Sequence, residues 1–520
     1  MEWALSRLVS LSIVACLFLS GGIPQCTNSN GLYEETYRPQ YHFTPPKNWM
    51  NDPNGLIYYK GEYHLFYQYN PFGDVWGHMS WGHAVSRDLL HWQHLPVALP
   101  EENGIMMFSG SAVVDWHNSS GFCHDASVSD PSCLVIIYTG YDGKLQFQNL
   151  AYSNDQGRTW IKYPGNPVID LKLQDFRDPK VFWHEESHKW VMVSALSPQH
   201  KVRFWGSTDL KHWTALSDFG PAGGTGGVWE CPDLFQLPIE GEPGHTRWVL
   251  SVNLNPGGPA GGSGDQYFIG VFDGSTFIED KPAEQVLWAD YGKDFYASTS
   301  FSDIPVSDGR RIWIGWLVNW DYAVKVPTHP WRSAQSIPRV VSLKRFPEGI
   351  RLVQSPVKEL RSLREKHVSL KRQSITAANR ALNSKRVRGD TLEILAEIDG
   401  GNAAEVGLRV RKGTNEGTTI GVDWGMREVF VDRTRSGDIS FDEGFAGRHV
   451  GPIRLTRGKQ VKLHIFVDRS SVEVFANDGS TVISDCIFPS RDSKEIELYA
   501  KDGEARIVKL DVWNLRSAWR

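Results

Sequence analysis

Cysteine is scarce in this chain, with six residues among 520. A disulfide scaffold needs far denser cross-linking, so the fold has to rest on hydrophobic cores. Charge of one sign is lacking too. With 55 basic against 60 acidic residues and a formal charge of −5, no electrostatic footprint for nucleic acid is present. Beyond residue 19 no apolar run approaches the length that crosses a bilayer, so no membrane association is expected of the mature chain. Sustained 3.6-residue periodicity is rare before Arg339, which argues against helical bundles and βα repeats.

What the chain has in quantity is glycine and tryptophan, 49 and 21 residues. Glycine suits a fold with many tight turns. About two-thirds of the tryptophans are expected in cores, and the rest are candidates for platforms under sugar rings. The length implies two domains. Residues 1–22 read as a signal peptide: Arg7, an apolar run over 8–19, then Ser20, Gly21 and Gly22. The expectation is a secreted protein. Ile13-Val14-Ala15-Cys16 only loosely resembles a lipoprotein site. Cys123 and Cys133 bracket a Ser/Asp-rich loop that a disulfide could close, while Cys231 and Cys486 look single. Asn118-Ser119-Ser120 is a glycosylation sequon, relevant in a eukaryotic host.

Period-two alternation dominates, and the expectation is an all-β chain. Residues 55–68 (GLIYYKGEYHLFYQ) read as a hairpin around Lys60-Gly61. Short apolar runs bounded by turn residues continue to about residue 316. A Ser-x-Asp turn leading to tryptophan recurs three times: Ser86-Arg87-Asp88 to Trp92, Ser153-Asn154-Asp155 to Trp160, and Ser207-Thr208-Asp209 to Trp213. The spacing of roughly 60 residues is the scale of one four-stranded propeller blade, and residues 35–342 then hold about five. Residues 343–390 are rich in Lys and Arg. Residues 343–366 are expected as a linker with helical character near 357–366. Alternation resumes over 392–398, 404–410, 461–467 and 471–475, so 367–520 read as a β-sandwich. Its expected role is packing against the propeller.

Three acid-bearing turns stiffened by proline stand in different inferred blades. They are Trp49-Met50-Asn51-Asp52-Pro53, Phe176-Arg177-Asp178-Pro179 and Trp229-Glu230-Cys231-Pro232. Each by itself reads as an ordinary surface turn. Blades converge on a central channel, however, so the three carboxyl groups can meet at one end of it. Two carboxyl groups flanking a glycosidic bond are the minimal machinery for its hydrolysis. Glu230, between an indole and a thiol, is expected in poorly hydrated surroundings that favour keeping a proton.

WMNDPNG, FRDP and WECPD, in that order, resemble the motifs of glycoside hydrolase family 32. The resemblance extends over nearly the whole chain. It takes in FYQYNP at 66–71, WGHA at 81–84, FSGS at 108–111, PWRS at 330–333 and FVDRSSVEVF at 466–475. The wording is nearer the microbial levanase and exo-inulinase type than plant vacuolar invertases. It implies a five-bladed β-propeller followed by a C-terminal β-sandwich, with no cofactor and no metal. It also implies a substrate class of fructan (levan, inulin) or sucrose, attacked at the terminal fructose. By the same resemblance Asp52 is the nucleophile, Glu230 the general acid/base and Asp178 the transition-state stabiliser, with Arg177 beside it. Asn51, Gln68, Trp76, Phe108 and Ser109 line the fructose pocket, and Trp49 and Trp320 form its aromatic wall. The alternatives are a fructosyltransferase using the same covalent intermediate and an inactive fructan-binding lectin.

His184-Glu185-Glu186-Ser187-His188 matches the HExxH zinc pattern, which works only on a helix. Strands are expected on both sides of it, so it reads as a polar hairpin loop. Residues 257–264 are glycine-rich but lack the lysine of a phosphate-binding loop. His78, His83, His91 and His94 fit no metal-ligand spacing and read as hydrogen-bonding residues.

Overall fold

Residues 33–124, 131–280, 286–453 and 458–519 are described by a computed structural model of the chain. The signal segment expected at 1–22 lies outside them.

Five antiparallel sheets, taken in chain order, make a ring of blades, and two further sheets make the second domain. The inner-edge strand of each blade faces the channel: Asn48–Tyr59, Met106–Asp115, Phe176–His184, Val228–Pro238 and Tyr296–Ser300. Consecutive inner strands are neighbours, and the fifth packs against the first to close the ring. A two-residue strand, Trp331–Arg332, leaves the fifth blade and pairs in parallel with Asn48 and Trp49 of the first. Each blade is a hairpin meander, so the register along the chain is local and its edges are short.

The Ser-x-Asp repeat is a structural repeat. In the first and third blades Ser86 and Ser207 bond to Asp88 and Asp209, whose carboxylates accept the N–H groups of His91 and His212. Leu89 and Leu210 take positive φ, and the indoles of Trp92 and Trp213 fold back to donate to their carbonyls at 3.0 and 2.8 Å. The second blade does the same with Gly157 and Trp160. The aspartate thus satisfies the turn's backbone donors while the tryptophan covers it, one device used three times.

The expected linker differs from what is found. Arg339–Phe346 and Gly349–Pro356 complete the fifth blade, and only the 3-10 turn Lys358–Leu363 separates it from the strand Arg364–Ser374 of the second domain. Lys344 and Arg345 of these strands are exposed while Val341, Leu343, Leu352 and Val353 are buried, and the basic composition alone reads as a linker. The helical character expected near 357–366 amounts to that single turn. The α-helix found in this region is Ile375–Ser384, capped by Ser374, with Ala378 and Leu382 buried. Two buried positions are too few to stand out as a 3.6-residue period.

A six-stranded and a five-stranded sheet pack over one aliphatic core in the second domain. The FVDRSSVEVF motif fills the seam with the propeller. Asp468 and Glu473 grip the His42 ring from both sides at 2.8 Å, and Glu473 also pairs with Arg339 at 2.5 Å. Burial opposes a charge on His42, but the hydrogen bonds it donates to both carboxylates outweigh it and raise its pKa to about 9. A pKa raised above the ordinary 6.5 means that the protonated ring stabilises the folded seam fully below that pH and is lost as pH rises through 9. His42→Gln is therefore expected to cost about 3 kcal/mol near pH 6 and markedly less at pH 10, measured by denaturant unfolding at both. Equal cost at the two values would refute this account of the seam.

Candidate active site

All five inner strands break register at the same end of the channel. The shifts fall between Met50 and Pro53, Met107 and Gly110, Arg177 and Lys180, Glu230 and Asp233, and Tyr296 and Thr299. A bulge inserts a residue with no ladder partner and turns its side chain off the regular alternation. In the first four strands the inserted residues are expected site residues or their chain neighbours, and in the fifth they are Ala297 and Ser298. Proline follows Asp52, Asp178 and Cys231, a tolerated place because it has no N–H to offer the broken ladder. Asp178, Cys231 and Ala297 take φ of 63°, 44° and 51°, a left-handed conformation that costs any side chain some strain. After Ser109, Gly110 lies so close to the facing strand that a Cβ would stand 2.1 Å from the Ile137 carbonyl oxygen.

The bulges surround a pocket of about 300 Å³. Of the eleven site residues expected from sequence, ten line it: Asp52, Asp178 and Glu230 with Asn51, Gln68, Trp76, Phe108, Ser109, Arg177 and Trp320. Trp49 does not. It is wholly buried beneath Trp320, ring centroids 5.8 Å apart, and donates its indole N–H to Asn51 at 2.7 Å. Asn51 passes the constraint on, donating to Asp52 Oδ1 at 3.0 Å, while Ser109 donates to Oδ2 at 2.6 Å. Trp49 is thus a brace for the aspartate rather than part of the wall.

The three acids are linked through two neighbours. The Cys231 backbone N–H donates to Asp178 at 2.9 Å, and its thiol lies 3.5 Å from Asp52 and 3.6 Å from Asp178. Burial, then the nearby carboxylates, push that thiol well up, so it stays a neutral donor. Arg177 reaches Glu230 at 3.1 Å and Asp178 at 3.9 Å, and is itself held by Asp175 at 2.8 Å and Gln146 at 3.2 Å. Burial raises Asp52 against the hydrogen bonds of Ser109 and Asn51. Burial, opposed by Arg177 and reinforced by Glu230 and Asp52, pushes Asp178 up to about 7. The poor hydration expected at Glu230 belongs instead to these two. Its own side chain is 21% exposed, beside Arg177 and within hydrogen-bond reach of the Tyr296 hydroxyl.

Four residues of the site were not among those expected. Asp175 stands two before Arg177 on the approach to an inner strand, a same-face spacing that suggests the ion pair. Tyr141 and Gln146 line the pocket from either side of the Asp142-Gly143 turn, a hairpin signal aimed at this mouth. Tyr296 carries no motif and had no signal.

Both domains match one family. The glycosyl hydrolases family 32 N-terminal domain matches residues 42–356, and the family 32 C-terminal domain matches 359–514. The chain belongs to glycosyl hydrolase family 32. Among its relatives, a levanase of Bacillus subtilis (strain 168) is 51% identical over 99% of this chain and 75% of that protein. An extracellular exo-inulinase of Aspergillus ficuum is 43% identical over 94% and 96%. The crystal structure of exo-inulinase from Aspergillus awamori superposes with a TM-score of 0.86 at 40% identity, covering 94% of this chain and all of that one. A fructofuranosidase of Schwanniomyces occidentalis complexed with fructose gives 0.84 at 32% identity, covering 93% and 99%.

The remaining sequence features fall into place within the family 32 fold. Cys123 and Cys133 form a disulfide, and Cys231 and Cys486 are free. Glu185–Ser187 is the turn of a hairpin between Phe176–His184 and Lys189–Leu196, with His184 bonded to Ser187 at 2.7 Å. No helix among the described residues is long and apolar enough to cross a membrane.

Proposed function

We propose that this family 32 enzyme is exported and removes the terminal β-fructofuranosyl unit from levan, inulin and sucrose, with retention at the anomeric carbon. One observation carries the reading: Asp52, Asp178 and Glu230, from three separate blades, line a single pocket. In this reading the pocket is closed at its base. Below it the channel narrows to a space of about 20 Å³ between Pro53, Gly110, Pro179 and Cys231. A blind pocket takes a chain end and not the middle of a polymer, which supports exo attack.

In this reading Asp52 attacks the anomeric carbon while Glu230 protonates the leaving oxygen, giving a fructosyl ester of Asp52. Glu230 then takes a proton from the water that cleaves the ester. Ser109 and Asn51 hold the two Asp52 oxygens in line, and Tyr296 and Arg177 fix the Glu230 carboxyl at the pocket edge. Asp178, in its deprotonated form, faces the ring as an anion where the oxocarbenium-like transition state gains positive charge.

Rates of fructose release on sucrose, inulin and levan measured side by side, with NMR of the first-formed anomer, test this. Release of free β-fructose from all three supports it. The α-anomer as first product, or fragments from the chain interior, would overturn it. New oligosaccharides at high sucrose would assign the chain to fructosyl transfer.

A further inference from the structure

A second cavity of about 630 Å³ opens at the opposite end of the propeller channel, twice the volume of the catalytic pocket. The inner strands run from one to the other. Ser109 leads to Val113, Asp178 to Lys180 and Glu230 to Leu234, two to four residues along each strand. At about 3.3 Å per residue the two linings are roughly 7–13 Å apart, with the narrow waist between them.

We propose that this cavity is a second, non-catalytic carbohydrate site that holds an internal segment of a fructan chain. The proposal rests on the substrate class argued above. Two of its indoles, Trp116 and Trp183, are 47% and 37% exposed, unusual for so large an apolar side chain. Each is fixed by its edge. Trp116 donates its N–H to Asp303 at 2.8 Å, and Trp183 donates to Glu185 at 2.8 Å. Trp183 also meets Trp190 edge-on at 5.3 Å, and Trp190 is tied to Ser119 at 2.9 Å. The result is a pair of rigid aromatic faces left open to solvent. Indoles held this way present a flat apolar surface to the C–H face of a sugar at little entropic cost.

Charge points the same way. Lys180 lies 3.6 Å from Asp233, and Arg311 sits in the field of Asp233 and Asp303. The cations of the cavity are therefore matched, with no surplus to draw a phosphate or carboxylate. Among the described residues no group of His, Cys, Asp and Glu could hold a metal ion. Apolar faces beside balanced donors and acceptors suit a neutral polyol. A polymer held at this end keeps its free chain ends near the enzyme, which raises their effective concentration at the catalytic mouth.

The test uses Trp116→Ala/Trp183→Ala beside Trp116→Phe/Trp183→Phe. In an Asp52→Asn background, electrophoresis through levan or inulin gels reads polymer affinity. The alanine pair is expected to bind about tenfold more weakly and the phenylalanine pair to recover most of the loss. In the active enzyme the alanine pair lowers kcat/KM on levan and leaves the rate on sucrose unchanged. Unchanged gel retardation, or an equal loss on sucrose, overturns the site. Self-association that the alanine pair abolishes while levan affinity persists overturns it too, by assigning the face to a second copy of the chain. A parent enzyme that releases no fructose would instead overturn the proposed function, and the gel readout would still decide this site.

Discussion

Asp52→Asn is expected to lower kcat on sucrose by roughly 10⁴-fold or more while leaving the affinity for fructose-bearing chain ends largely intact. The substitution changes one atom of the acid and keeps its shape. Asn51 Nδ2 can still donate to the amide oxygen, and the Ser109 hydroxyl can turn to accept from the amide nitrogen, so both anchors of the side chain survive. What is lost is the nucleophile: an amide oxygen does not displace an alkoxide from an acetal carbon. The contrast with Ser109→Ala makes the assignment specific. That variant keeps the carboxylate but leaves one of its oxygens only the longer contact with the Cys231 thiol, and a loss of about 10–100-fold is expected. Stopped assays with purified proteins, together with calorimetric titration by an oligofructoside, separate turnover from binding. Substantial turnover by the asparagine variant would remove Asp52 from the chemistry.

Much of this architecture was legible because its signals are local. A blade is four neighbouring strands joined by short turns, so alternation and the Ser-x-Asp-to-Trp turn each report on structure within about 60 residues. The Asp-Pro and Cys-Pro steps were legible for the same reason: proline marks the place where an inner strand leaves its ladder. What stayed hidden depends on the ring closing. Trp331–Arg332 pairs with Asn48–Trp49 across nearly the whole propeller, and no local pattern announces that. Tyr296 meets Glu230 only because the fifth blade returns beside the fourth. Trp49 read as an aromatic wall because exposure cannot be told from sequence, and it proves to stand one layer behind, under Trp320.

The second domain is more than a cover for the propeller. Arg433 donates to the Tyr322 hydroxyl at 2.8 Å, Tyr322 donates to Asp294 at 2.5 Å, and Lys325 pairs with Asp442 at 2.7 Å. Phe441 and Phe445 pack against Tyr322 from the sandwich side. These contacts brace the segment that carries Trp320, a wall of the pocket. Its position is therefore set partly by residues more than a hundred positions further along the chain, a dependence that no local pattern around Trp320 announces.

Asp178→Asn is expected to make the protein more stable at neutral pH and nearly inactive, with kcat reduced by about 10³-fold. The two effects have one origin. Burial raises the Asp178 pKa from 3.8 to about 7, with the neighbouring Glu230 and Asp52 adding to it against Arg177. Between those values the folded protein holds a proton that the unfolded chain has released, so stability falls as pH rises from about 4 to about 7 and is level above. Asparagine carries no such charge. Its advantage should be absent near pH 4, grow across that window and persist at pH 8, where Tm rises by a few degrees. The catalytic loss follows from the same buried anion: a charge that water does not screen is costly to the empty protein and strongly favourable once positive charge develops on the sugar ring. Melting curves at pH 4 and pH 8, paired with sucrose kinetics, separate this account from simple damage. A variant less stable than the parent at pH 8 would show that the Asp178 carboxylate supports the fold, and the trade between stability and chemistry at this residue would be wrong.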